Sequence, residues 1–182
     1  MSHQISLLID TNVWMDYYDA SRTGSKAAFE LINNALEHGA ELVYTVPSSK
    51  DVFYLIGRAY KGVLRAVNQE RSSEDLAAVA REMAWGCVRN MSEIATAVGC
   101  DGRDVWIAEK QKRLHPDYED NLIIAASIRL GATLLVTNDE GLLRHAPRKR
   151  AFRRRRIEVS RYAGIGLLAS GASTFRFVFV RR

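Results

Sequence analysis

YEDNLIIAASIRLGATLLVT, residues 118–137, decides the class of fold. Residues 118–130 read as a helix ending at Gly131, a residue that tolerates the left-handed backbone of a helix terminus. ATLLVT (132–137) follows as a short apolar strand. A helix that feeds straight into a buried strand points to an alternating α/β chain.

The residues on either side continue the alternation. ISLLI (5–9) is a buried strand by length and composition, and it ends at Asp10. A turn-like stretch at 21–24 follows. Residues 25–38 carry Ala28, Leu31, Ile32, Ala35 and Leu36 at helical spacing, with Gly39 as the stop. ELVYTV (41–46) is the second strand. Pro47, Ser48 and Ser49 open a helix with a wide apolar face: Val52, Phe53, Leu55, Ile56, Ala59, Tyr60, Val63 and Leu64. A further amphipathic helix is predicted over 73–90, striped by Leu76, Val79, Ala80, Met83 and Cys87. EIATAV (93–98) is the third strand and 104–113 a helix. Beyond the quoted stretch, IEVS (157–160) is a fifth strand. The last residues, 163–182, run from a Gly/Ala/Ser-rich piece into alternating TFRFVFVRR, which fits an edge strand or a tail. Strands alternating with helices imply a mostly parallel sheet covered on both faces. No repeat or low-complexity linker divides the chain, so one domain over 1–160 is expected, with a C-terminal extension at 161–182.

At 182 residues the chain is long enough to bury a core of its own. No apolar run reaches the roughly 20 residues that span a bilayer. The N-terminal stretch is too short and polar for a signal peptide, and a cytoplasmic location is expected. Cys87 and Cys100 lack metal-site or redox spacing, and Cys87 reads as a buried structural thiol. The net charge is +5. Its placement matters more, because RHAPRKRAFRRRR (144–156) is a basic tract without an acid. Arg148, Lys149, Arg150, Arg153, Arg154 and Arg155 are its candidate nucleic-acid contacts, with a solvated charged loop as the plainer explanation.

In open α/β sheets, ligands bind beyond the carboxyl ends of the strands. Asp10 directly follows the first strand, Asp51 opens the helix after the second, and Asp139 follows ATLLVT. Asp120 begins the helix that leads into that strand. Any one of them alone is better explained as a helix cap or a surface acid. The set, at corresponding points of the topology, predicts a cluster. Close carboxylates repel one another, and a divalent cation relieves that repulsion. Oxygen ligands favour Mg²⁺ or Mn²⁺ over Zn²⁺.

These same residues resemble the PIN-domain family, in particular VapC-like toxins. LLIDTNVWMD, with Asp10-Thr11-Asn12, is similar to the family's opening motif. SSKDVFYLIGR, with Asp51, is similar to its second acidic site. DYEDNLIIAASIRLGATLLVTNDEGLL is similar to its closing signature, with Asp120 third and Asp139 fourth. The similarity spans residues 5–145 in order. It implies a three-layer α/β/α sandwich and a Mg²⁺- or Mn²⁺-dependent endoribonuclease acting on RNA. It further implies homodimerisation and a small antitoxin that covers the active site. The basic tract and the tail after Arg156 do not map onto the family pattern.

Asp10, Asp51 and Asp120 are thus expected as metal ligands, and Asp139 as a further ligand or a holder of bound water. Asn12 and Thr137 would orient Asp10, water or phosphate. Asn138 reads as a turn residue, Asp117 and Glu119 as alternatives to Asp120, and Asp16 and Asp19 as exposed acids. Trp14, Trp85 and Trp106 suit core or interface packing. The competing function is a PIN-like module that binds RNA or protein without cutting. A phosphatase-like domain is disfavoured, since ATLLVTNDE offers no lysine for phosphate.

Overall fold

The computed structural model describes residues 5–67, 72–113, 116–145, 156–160 and 176–181, with side chains through residue 142. Six strands are described: β1 (Ser6–Ile9), β2 (Glu41–Thr45), β3 (Thr96–Val98), β4 (Leu134–Thr137), β5 (Arg156–Ser160) and β6 (Arg176–Arg181). Seven helices connect them: α1 (Thr11–Tyr18), α2 (Ser25–Glu37), α3 (Val46–Val67), α4 (Ser73–Ile94), α5 (Gly102–Gln111), α6 (Tyr118–Leu130) and α7 (Glu140–His145).

The sheet order is β3-β2-β1-β4-β6-β5. The four strands β1 to β4 are parallel, and β6 joins β4 antiparallel. Residues 176–181 therefore lie between two strands of the sheet, with β5 at its margin. The parallel strands are apolar throughout because both faces are covered. Leu7, Ile9, Leu42, Tyr44, Leu134 and Val136 point to one side, where α1 to α4 pack. Leu8, Val43 and Leu135 point to the other, against Ile123, Ile124 and Ala126 of α6 and Leu142 of α7. This is the three-layer α/β/α sandwich with a mostly parallel central sheet. No helix among the described residues is long and apolar enough to cross a membrane.

Gly131 ends α6 at φ 64°, and its amide returns to the Ile128 and Ser127 carbonyls. The tight left-handed stop turns the chain directly into β4, as the glycine predicts.

Two sequence expectations change. Helix α4 runs on to Ile94, so residues 93–95 precede the short β3. Met91 is buried and Ile94 packs against the same cluster, which extends the helical stripe into the predicted strand. The wide apolar face of α3 is only partly buried. Ser48, Val52 and Ile56 are buried, whereas Leu55 and Val63 are exposed. For Val63 the reason is length: 22 residues of helix reach roughly 33 Å, about twice a strand of five residues. Leu55 lies beside the fully buried Ile56 and instead lines a cavity. The outer turns of α3 and α4 pass the sheet and pack on each other. Val79 and Met83 of the predicted α4 stripe are more than a third exposed, and Cys87 is half-buried against the core.

Trp14 is fully buried, edge-on to Tyr17 and Tyr44 and stacked on Tyr18 at 6.1 Å. Among the described residues its indole Nε1 has no hydrogen-bond partner. Trp14→Ala should cost about 3–5 kcal/mol in urea unfolding. Trp14→Phe should cost under half of that, because it fills most of the space and removes the buried donor. Equal losses for the two variants would contradict this packing account.

Candidate active site

Asp10 leaves the carboxyl end of β1 and caps α1. Its neighbour across the sheet is β4, where Ile9 pairs with Val136 and the Asp10 amide donates to the Val136 carbonyl at 3.0 Å. The strand order reverses direction here, since β2 and β3 lie on one side of β1 and β4 on the other. Such a switch point opens a crevice at the strand ends.

The Asp10 side chain is 8% exposed. One carboxylate oxygen accepts from the Thr11 amide at 2.6 Å, the other from the Thr137 hydroxyl at 2.7 Å. Thr137 Oγ in turn accepts from Asn12 Nδ2 at 3.2 Å and from the Asp139 amide at 3.0 Å. A hydroxyl has one donor and two acceptor positions, so every one is filled and its proton must point at Asp10. Asn12 Oδ1 accepts from the Asn138 amide at 3.0 Å, which locks the α1 start to the turn after β4. Burial pushes the Asp10 pKa up to about 6. The Thr137 and Thr11 hydrogen bonds oppose that rise, and the charge of Asp139 adds to it.

A cavity of about 860 Å³ opens at this edge of the sheet. Asp10, Asn12, Asp51, Glu119 and Asp120 all line it. The carboxyl end of β2 and the start of α3 supply Asp51, and the first turn of α6 supplies the other two acids. Asp117 is instead the cap of α6, accepting from the amides of Glu119 and Asp120 at 2.8 and 3.2 Å. It sets the helix start that carries its neighbours to the cavity. Asp139 does not line the cavity. Its Oδ1 accepts from the amides of Gly141 and Leu142 at the start of α7, so it reaches Asp10 through Thr137 and through its charge. Among the described residues, no three His, Cys, Asp or Glu side chains are close enough together to enclose a metal ion.

The donor chemistry nonetheless fits a hard cation. The acids on the cavity present only carboxylate oxygens, and Asp10 is a buried carboxylate whose ionised form a cation would favour. Mg²⁺ commonly keeps several waters and takes one or two carboxylates, so it does not require a cage of three.

Three cations missed in the sequence also line the cavity: Arg22, Lys50 and Arg58. Lys50 Nζ lies 3.0 Å from Asp51, which holds the ammonium pKa above its usual value. Arg58 follows Asp51 by seven residues, two turns along one helix face, and that spacing was legible. Arg22 sits in the turn after α1, where no periodicity points to it. The basic residues Arg148, Lys149, Arg150, Arg153, Arg154 and Arg155 lie outside the described residues. Asp16, expected at the surface, is 4% exposed and forms an ion pair with Arg22. It faces inward because its partners, Arg22 and Asn138, come from the two turns beside it. Asp19 is partly buried and holds Ser21 through its amide and hydroxyl. Trp14 is core, whereas Trp85 and Trp106 are about half exposed.

A pH dependence follows from Asp10. Its folded pKa of about 6 lies above an unfolded value of about 3.9, so the folded state binds the proton more tightly. The stabilisation is fully present below the unfolded value and is lost as pH rises through about 6, on the order of 3 kcal/mol. With chelator present, wild-type Tm should fall relative to that of Asp10→Asn between about pH 4 and pH 7. A constant difference over that window would rule out the burial effect.

No curated protein matches the sequence at a significant level. Among solved structures, the fold is similar to VapC20 of Mycobacterium tuberculosis, described as a sarcin-ricin loop cleaving toxin. The TM-score is 0.51 at 11% identity, covering 75% of this chain and 92% of that one. A family model described as PIN domain matches residues 7–148. With that match spanning β1 to the residues just past α7, the chain belongs to the PIN domain family.

Proposed function

We propose that this protein is a metal-dependent endoribonuclease that hydrolyses RNA phosphodiester bonds, and that it is the toxin of a toxin–antitoxin pair. One observation carries the proposal: Asp10, Asp51 and Asp120, far apart in sequence, border a single cavity at the carboxyl edge of a parallel sheet. Family membership and the likeness in fold to VapC20 support it.

Asp10, Asp51 and Asp120 would hold a Mg²⁺ or Mn²⁺ ion, one or two of them directly and the remainder through its waters. When bound, such an ion makes a water more acidic and offsets phosphate charge. The residues of the chain do the rest. Asp10 is fixed in direction by Thr137 and Thr11, so its carboxylate does not reorganise when substrate arrives. Asn12 and Thr137 hold that carboxylate and the following turn in one arrangement. Asp139 stands behind them and tunes Asp10 by its charge. Glu119, beside Asp120, is available to orient a water at the cavity mouth. Lys50 and Arg58 supply positive charge for the phosphate backbone. The partner of such a toxin would be a small protein covering this cavity.

Purified protein should cleave single-stranded RNA with Mg²⁺ or Mn²⁺ and stop when chelator is added. Asp10→Asn and Asp120→Asn should each lower the cleavage rate by at least about a hundredfold, while circular dichroism stays native. Either variant retaining full metal-dependent activity would refute the site. RNA binding indifferent to chelator, with no product from the wild type, would favour a PIN-like binding module.

A further inference from the structure

Asp16 is a buried carboxylate outside the acids of the cavity, and it holds two partners. Arg22 Nε donates to its Oδ1 at 2.5 Å, and Asn138 Nδ2 donates to its Oδ2 at 2.5 Å. The loop between α1 and α2 is shaped around this pair. Asp19 Oδ1 accepts from the Ser21 amide at 3.0 Å, and the Arg22 amide returns to the Asp19 carbonyl at 3.1 Å. Gly24 closes the loop where no side chain fits. A Cβ there would stand 2.1 Å from Asp16 Oδ2 and 3.3 Å from Asn138 Nδ2.

The consequence is a fixed arginine at the mouth of an acidic cavity. The Asp16 side chain is 6% exposed, that of Arg22 is 42% exposed, and Arg22 lines the same cavity as Asp10, Asp51 and Asp120. Arginine suits the position because its planar fork can use one edge on an internal carboxylate and present the other outward. A lysine presents its three donors from one compact ammonium and lacks a second edge held in a fixed direction. Among the described residues, the terminal guanidinium nitrogens of Arg22 make no hydrogen bond to protein. A phosphodiester approaching Asp10, Asp51, Glu119 and Asp120 meets like charge, so cations held at the rim decide whether it can dock.

We propose that Arg22 is a substrate-phosphate contact of this site and that Asp16 is its positioning residue, with Asn138 joining the same clamp to the turn that carries Asp139. The proposal rests on the nuclease reading of the cavity and extends it to a named contact.

The test uses the full chain carrying Asp10→Asn and a short fluorescein-labelled single-stranded RNA, titrated by anisotropy across a salt series in Mg²⁺. Adding Arg22→Gln should weaken binding about tenfold and reduce the slope of log K against log salt by about 0.7. Arg22→Lys should restore the slope, since the charge is kept, and only part of the affinity. Asp16→Asn should leave the slope unchanged and weaken binding severalfold, because the cation remains but is no longer held. In a chain with intact Asp10, Arg22→Gln should raise KM more than it lowers kcat. If Arg22→Gln lowers Tm yet leaves affinity, slope and KM as in the parent, Arg22 is a structural clamp and the proposal fails. Cleavage by the wild type with an unaffected Arg22→Gln chain sinks this inference alone. Loss of affinity and slope in a protein that never cleaves sinks the nuclease reading and keeps the contact.

Discussion

The bond from the Thr137 hydroxyl to the Asp10 carboxylate joins the ends of β1 and β4 and makes a buried charge tolerable. A carboxylate that loses water without compensation is strongly disfavoured. Here the compensation is one hydroxyl and one backbone amide, both fixed by the fold. Because Thr137 is itself saturated by Asn12 and the Asp139 amide, Asp10 cannot turn without breaking several contacts. Sheet register and site geometry are thus one constraint. A slip of β1 against β4 would move Ile9 off Val136 and carry Asp10 away from its donor.

Around that fixed point the helices contribute by their starts. Helix α3 begins one residue after β2, and the Thr45 and Ser48 hydroxyls hold that junction at 2.9 Å. Asp51, Lys50 and Arg58 follow from it. Helix α6 is capped by Asp117, which presents Glu119 and Asp120 to the cavity while Ile123, Ile124 and Ala126 anchor the helix on the sheet. The same helix is fastened at its far end, where Arg129 pairs with the fully buried Asp104 at 2.9 Å. Asp51, Glu119 and Asp120 therefore stand on helices whose opposite faces are core, and Asp10 at the end of a buried strand. That rigidity is what a site working by preorganised charge requires.

Much of this was legible in the order of residues, because buried parallel strands and helix stops leave strong local marks. ATLLVT, ISLLI and Gly131 gave the alternation, and the position of acids after strand ends gave the cavity side of the sheet. The Asp-Thr-Asn and closing motifs gave the family. What was hidden is what local pattern does not encode. Leu55 and Val63 look like core on a helical wheel, but Val63 lies on a turn of α3 that extends past a sheet of short strands, and Leu55 lines the cavity. Ile94 belongs to the helix stripe although its neighbours favour a strand.

The sequence by itself determined the fold class, the order of the elements and the edge of the sheet to which Asp10, Asp51 and Asp120 belong, since periodicity, chain direction and strand ends are one-dimensional properties. Only the tertiary structure decided that Asp139 stands behind Thr137 as a helix cap, that Asp16 is buried with Arg22 at the cavity mouth, and that Lys50 pairs with Asp51. Those outcomes depend on which turns meet across the sheet. Burial and pairing of a charge are fixed by neighbours distant in the chain, which no window of sequence contains.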